Sequence, residues 1–426
     1  MFNKLYFCKK KLSTKKTITI FTGNYTPEDT AIGLYTSQFA TFLSNKGYDV
    51  SVITGFPYYP KWKIAENYND KNTYFNEIIN GINVFRYKQF VPEKVTFFGR
   101  IKLMLSLTWG SFQNSKKIKE TDLVICLVPL TLSILPAYIL AKNKKAKLWI
   151  HIQDFEFDLA FQSGLLNANF FGNLIKKTIF RFETFLFNKA TIISSISYNM
   201  MEKALKKTKF KSVFYFPNWV SANNINPSIA RHHNYINPNK FTLLYSGNIG
   251  EKQDWLFFEE FCKKIDDDDI EIVIVGDGAY MQKLKAKLSV FSFIKFYEPL
   301  PYNELNNLLC SADVHFLFQK TDVQDTVMPS KILGMMASGK PSIITGNKNS
   351  EVAKIFKENN LNGFFSGNNT KQVVDYLLEI KRKKEIAFQI GEKAKHFVLE
   401  NFSENTILEN FETKVSEIIN KDESKK

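Results

Sequence analysis

Cysteine is nearly absent. Four occur among 426 residues, at positions 8, 126, 262 and 310, and none lies close enough to another in the sequence to form a C-x-x-C. That argues against a zinc site and a disulfide framework and points to a reducing compartment. Histidine is almost as scarce, with five residues and no metal-ligand spacing; His232 and His233 fall in a polar, loop-like stretch and read as surface residues. Neither G-x-G-x-x-G nor G-x-x-x-x-G-K-[ST] is present, so neither a dinucleotide fingerprint nor a P-loop is supported. The basic start, KLYFCKKKL, lacks a continuous apolar stretch and does not read as a signal peptide. One uncharged run of 19 residues, 123–141, approaches membrane-spanning length. Pro129 and Pro136 divide it, and it reads as a buried parallel strand followed by a helix.

What is present is an ample apolar content, 44% of the chain, enough for two buried cores. The length suits two domains of about 200 residues each. Lysine and arginine outnumber acidic residues by 57 to 42, a formal charge of +15. Such a surface attracts nucleic acid, an anionic membrane or a phosphorylated substrate. No aromatic–basic recognition module accompanies the charge, so nucleic acid is not expected as a partner.

The first half alternates short apolar runs (TITIFTG at 17–23, YDVSVITG at 48–55, LVICLVP, AKLWIHIQD at 146–154, ATIISSIS at 190–197, SVFYFPN at 212–218) with amphipathic stretches such as 33–47. Residues 219–239 are rich in Asn and Pro and lose the pattern, which restarts with FTLLYSG at 241–247 and runs to KPSIITG at 340–346. The reading is α/β: two doubly wound, Rossmann-like domains in series, facing a central cleft. The expected division is 1–218 for a first domain, 219–239 for a linker and 240–403 for a second domain, with a helix at 404–426 returning to the first. Ligands in such sheets bind at the carboxyl ends of the strands.

Several of those ends carry glycine: Gly23 and Gly33 in FTGNYTPEDTAIG, Gly247 and Gly250 in YSGNIGEKQ, Gly276 and Gly278 in VIVGDG. Glycine there lets a backbone approach a ligand closely, and helix starts attract phosphate. In VMPSKILGMMASGKP (327–341), Pro329 and Ser330 suit a helix start and Gly339 with Pro341 a stop. The acidic run Asp266–Asp269 invites a metal reading, but it precedes its strand and reads as a solvated loop, so no metal is expected.

Together HIQDFEFD (151–158), FPNW (216–219), LYSGNIGEKQ (244–253), VGDG (275–278) and MPSKI (328–332) resemble family 4 of the retaining GT-B glycosyltransferases. NYTPEDTAIGLYT (24–36) with PYYPKW (57–62) is similar to its colanic-acid and L-fucosamine transferase branch, which builds cell-surface polysaccharide such as capsule or O-antigen. The resemblance implies a nucleotide-diphosphate sugar as donor, UDP-N-acetyl-L-fucosamine or a related hexosamine, with no metal cofactor. It implies a lipid-linked saccharide as acceptor. By position, Lys252 pairs with the donor diphosphate, as does Lys331 with Ser330 at the helix start, and His151 lies beside the donor sugar. Gly278 approaches the base and Gly33 the diphosphate, Gly247, Asn248 and Gly276 complete the nucleotide site, and Asn218 shapes it. The family usually has two glutamates eight positions apart. Here they fall on Thr326 and Gly334, neither of them acidic, which leaves Asp325 for the sugar contact. The missing pair keeps a non-catalytic nucleotide-sugar-binding paralogue open, beside an epimerase of the same fold. Residues 90–112 suit either a core helix or a helix lying on an anionic membrane, the latter placing the protein on the inner face of the cytoplasmic membrane.

Overall fold

The computed structural model describes residues 15–28, 31–94, 96–158, 170–250, 253–321, 330–367 and 369–420. They form two compact units, one comprising the described residues up to Ile193 and from Ser416 on, the other Ser194–Val415. Composition places a boundary at 218. Short of it, the backbone N–H groups of Tyr198 and Asn199 donate to the buried carboxylate of Glu351 (3.2 and 3.3 Å).

The first sheet has eight strands: β1 Thr17–Phe21, β2 Asp49–Gly55, β3 Tyr74–Ile79, β4 Ile82–Tyr87, β5 Leu123–Val128, β6 Lys147–Ile152, β7 Ile192–Ser195 and β8 Phe214–Tyr215. Their order is β3-β4-β2-β1-β5-β6-β7-β8. β1 pairs in parallel with both β2 and β5, so the winding reverses between β1 and β5. β5 is apolar throughout and buried at every position, as a central parallel strand must be. The uncharged 123–141 run thus resolves into β5 and the helix Ile134–Lys144. Among the described residues no helix is long and apolar enough to cross a membrane.

β3 and β4 form an antiparallel hairpin that the strand–helix alternation did not anticipate. Its turn is Asn80-Gly81, with φ of 51° and 78°, the left-handed pair that a two-residue hairpin turn requires. The hairpin brings Glu77 to Arg86, whose fully buried guanidinium forms an ion pair with that carboxylate. Arg86 also donates to the Gly55 carbonyl at 3.1 Å and to the Thr26 carbonyl. One cation therefore ties the chain leaving β2 to the chain leaving β1.

The second sheet is wholly parallel: β9 Phe241–Ser246, β10 Ile270–Val275, β11 Ile294–Tyr297, β12 Val314–Phe318, β13 Ser342–Gly346 and β14 Phe364–Ser366, in the order β11-β10-β9-β12-β13-β14. Its winding reverses between β9 and β12. Phe258 of the helix Trp255–Cys262 stacks on Phe316 of β12 at 4.9 Å and 9°, one of many aromatic contacts in this core. Residues 219–239 contain no helix or regular strand, yet they are firmly seated. Ile225 and Ile236 enter the core, and the N–H groups of Asn226, Arg231 and His233 donate to Asn306, Asn307 and Ser311 (2.8, 2.8 and 2.9 Å). In the acidic run, Asp267 is ion-paired with Lys381 at 2.5 Å.

Removing the charge of Glu77 leaves the buried Arg86 without its counter-ion. Glu77→Gln is expected to lower stability by about 2 kcal/mol, below the full buried-pair cost because Glu77 is partly exposed. Urea unfolding of the purified variant checks this, and an unchanged midpoint would show that the pair is dispensable.

Candidate functional site

At the reversal point of the second sheet, the chain leaving β9 and the chain leaving β10 are laced together. The Gly247 N–H donates to the Val275 carbonyl and the Ile249 N–H to the Asp277 carbonyl, both at 2.9 Å. Gly276 and Gly278 hold left-handed φ of 152° and 158°. A Cβ on Gly276 would lie 2.0 Å from the Gly247 carbonyl oxygen, and one on Gly278 2.3 Å from that of Ile249. Glycine is required at both positions, and the two loops form one backbone ledge. Asn248 contributes to it through its carbonyl, which accepts from the Tyr245 hydroxyl at 2.6 Å.

Lys331 enters this ledge from the first position of the helix Lys331–Ala337. Its Nζ donates to the Tyr245 oxygen at 2.8 Å and sits 4.3 Å from the centre of that ring. It lies 3.1 Å from where a Cβ on Gly247 would be. Burial holds the Tyr245 hydroxyl in its protonated form, so its own hydrogen goes to Asn248 and its oxygen is left to receive Lys331. Among the described residues no carboxylate pairs with Lys331. The residue as a whole keeps some exposure, but burial of its ammonium pulls its pKa down to about 7. A cation in that position lacks an anion, and backbone ledges at the carboxyl ends of parallel strands are where α/β sheets take phosphate.

Ser330 stands at the helix start, but its side chain makes no cap to the first turn. The Lys331 side chain, more than the helix terminus, supplies the positive charge. Gly334 leaves a Cβ position 3.2 Å from Leu309, so a side chain there would begin tight against the core. Trp255 stacks near-parallel to Tyr280 at 6.5 Å, packs edge-on against Tyr245 at 5.3 Å and donates its indole N–H to the Gly250 carbonyl at 2.8 Å. Sequence reading missed Tyr245 and this aromatic bracket, although Tyr245 lies within the motif already singled out. Lys252, Asp325 and Thr326 lie outside the described residues.

In the first unit, His151 ends β6 and is buried, 2% exposed. Burial lowers its pKa to about 3, so the ring is neutral and offers hydrogen bonds without charge; one nitrogen lies 3.3 Å from the Gln153 amide. Glu156 follows, accepting from the Thr131 N–H at 3.0 Å, and burial raises its pKa. Gly33 has an internal reason to be glycine: a Cβ there would lie 2.4 Å from the Glu28 carbonyl oxygen. His151, Glu156 and the Glu28 loop all stand at carboxyl ends of the first sheet, on either side of its reversal point.

The family model described as glycosyl transferases group 1 matches residues 229–397. The chain is 31% identical over 350 residues to the putative colanic acid biosynthesis glycosyl transferase WcaI of Escherichia coli K12, covering 79% of this chain and 85% of that one. It is 22% identical over 243 residues to the probable glycosyltransferase WbjE of Pseudomonas aeruginosa, covering 54% and 59%. Among solved structures, sucrose-phosphate synthase of Thermosynechococcus elongatus aligns with a TM-score of 0.72 at 13% identity, covering 95% of this chain and 99% of that one. HepE of Anabaena, solved in complex with UDP and glucose, aligns at 0.66 and 12%, covering 94% and 99%. The structural likenesses show the GT-B fold of two Rossmann-like domains, and the sequence match of more than three-quarters of the chain shows that it belongs to the group 1 glycosyltransferases.

Proposed function

We propose that the chain transfers a hexosyl or hexosaminyl group, N-acetyl-L-fucosamine or a relative of it, from a nucleotide diphosphate to a lipid-linked saccharide during synthesis of a cell-surface polysaccharide such as capsule or O-antigen. The observation that carries the reading is Lys331, whose ammonium is buried against Tyr245 beside a glycine-built ledge and has no carboxylate partner among the described residues. The departing nucleotide diphosphate gains charge as the glycosidic bond breaks, and a fixed cation stabilises that charge without giving up a proton. Lys252 and Asp325 stay in the proposal from the motif resemblance, as diphosphate and sugar contacts. The neutral His151 suits a hydrogen bond to a sugar hydroxyl. In this mechanism transfer proceeds on one face with retention, the departing phosphate oxygen accepting the acceptor's proton, and no metal takes part.

The first unit also supports an attachment to anionic lipid. The helix Phe97–Ser115 buries Leu103, Leu107 and Ser111, while its opposite side carries Phe98, Leu105 and Trp109, 74%, 55% and 61% exposed. One side of the 90–112 stretch packs in the core, and the other is left for the proposed membrane contact. The helix Phe170–Phe187 exposes Leu174, Ile175 and Phe185 beside Lys176, Lys177 and Arg181. Apolar side chains rimmed by cations are what a helix presents to a negatively charged membrane surface, here proposed to be the inner face of the cytoplasmic membrane.

Three outcomes are expected. Titrating UDP by calorimetry should show affinity falling as pH rises from 7 to 9, by up to tenfold per unit, because Lys331 loses its proton above about 7 in the free protein and the diphosphate must restore it. Lys331→Met should weaken binding and remove that slope; a slope that persists would place the titration elsewhere. Product NMR should show the donor's anomeric configuration, and an inverted product would overturn the single-face mechanism. Sedimentation with phosphatidylglycerol vesicles at low salt should capture the protein and lose most of it on Leu105→Ser/Trp109→Ser, whereas phosphatidylcholine vesicles should not; equal partition into both would refute the electrostatic part.

A further inference from the structure

A second built feature stands at the carboxyl end of β2, where the chain runs Pro57-Tyr58-Tyr59-Pro60-Lys61-Trp62. Glu28, only 6% exposed, reaches this loop from the chain that follows β1. One carboxylate oxygen accepts from the Tyr58 and Tyr59 N–H groups at 2.8 and 2.7 Å. The other accepts from the Tyr25 N–H at 3.3 Å and the Asn24 amide at 3.2 Å. A buried carboxylate with four donors fixes both loops to each other, and losing it would leave those donors unpaired. Two backbone bonds close the loop on itself, from the Lys63 N–H to the Tyr58 carbonyl (3.2 Å) and from the Ala65 N–H to the Pro57 carbonyl (2.8 Å).

What this framework holds is an aromatic surface. Trp62 has a left-handed φ of 51°, a backbone state costly for a bulky residue and sustained only where its surroundings enforce it. Its ring stands edge-on to Tyr58 at 5.9 Å and to Tyr59 at 6.3 Å, both at 75°. Tyr58 is buried and anchors the set, whereas Tyr59 is 37% exposed and Trp62 is partly exposed. Packing of the core does not need two aromatic rings left partly in solvent on a strained, pinned loop. The negative face of such a ring attracts the polarised C–H bonds on the less polar face of a pyranose, and a ring held rigid loses little entropy in doing so.

We infer that Trp62 and Tyr59 form a shelf for a pyranose ring of the saccharide acceptor, with Glu28 as the positioning residue that sets it. The inference rests on the glycosyl-transfer reading, which places the acceptor at the first unit. Stacking on Trp62 selects acceptors by the shape of one sugar face.

The test titrates the full-length protein with methyl glycosides of glucose, galactose, N-acetylglucosamine and L-fucose, followed by saturation-transfer NMR and tryptophan emission. At least one glycoside should bind in the millimolar range. Trp62→Ala should raise its dissociation constant about tenfold, and Trp62→Phe should recover most of the loss. Glu28→Gln should weaken binding with Trp62 intact and shift the emission to the red, while Lys331→Met should leave glycoside affinity unchanged. Absence of binding by all four glycosides, or affinity indifferent to Trp62→Ala, overturns the shelf. A parallel UDP titration separates the two readings. UDP binding without any Trp62-dependent glycoside binding sinks the shelf alone, and glycoside binding without UDP binding sinks the donor reading and leaves the shelf standing.

Discussion

The second unit is organised around a buried ammonium, that of Lys331, which has no carboxylate partner among the described residues. Taking a charge out of water costs several kcal/mol unless a partner or a pKa shift offsets it, and here the shift is present: Lys331 is drawn down to about 7. What the protein does supply is Tyr245, with its ring beneath the amine and its hydroxyl oxygen as acceptor. That oxygen is available because its own hydrogen goes to the Asn248 carbonyl. The same carbonyl belongs to the ledge that Gly276 and Gly278 allow to form. Each part is set by the next.

The first unit solves a different problem with the same economy. Parallel strands deliver their loops to one end of the sheet, but nothing in strand pairing fixes what those loops do afterwards. Two buried charges do so. Arg86 holds the start of the loop after β2, at Gly55, to Thr26 in the loop after β1, and Glu28 holds Tyr58 and Tyr59 to Tyr25. Charged groups are costly to bury and strong once fully bonded, so they specify loop geometry more sharply than apolar contacts do.

Much of this architecture was legible in the chain. Apolar runs such as LVICLV and IEIVIV read as buried parallel strands, and the observed elements fall on them with ends within about three residues. The β3–β4 hairpin was missed, although Asn80-Gly81 between alternating residues is its signal, because one antiparallel excursion interrupts a regular strand–helix rhythm. Residues 219–239 look like a linker by composition. Their seating depends on Asn306, Asn307 and Ser311, about 80 positions away, which local composition does not register. The motif around Lys331 marked it as a phosphate contact, but not that its ammonium would be buried or rest on Tyr245.

By itself, then, the sequence determined the α/β class, the central parallel strands and the glycines at their carboxyl ends, since these follow from hydrophobic period and local backbone freedom. It also determined the family, through motifs that keep their spacing. Only the tertiary structure decided which carbonyl each glycine makes room for, those of Gly247 and Ile249 in the ledge and that of Glu28 at Gly33. It alone decided which side of the helix Phe97–Ser115 faces water and which tyrosine receives the lysine. These depend on contacts between residues far apart in the chain, and on the burial those contacts create, which local sequence pattern does not carry.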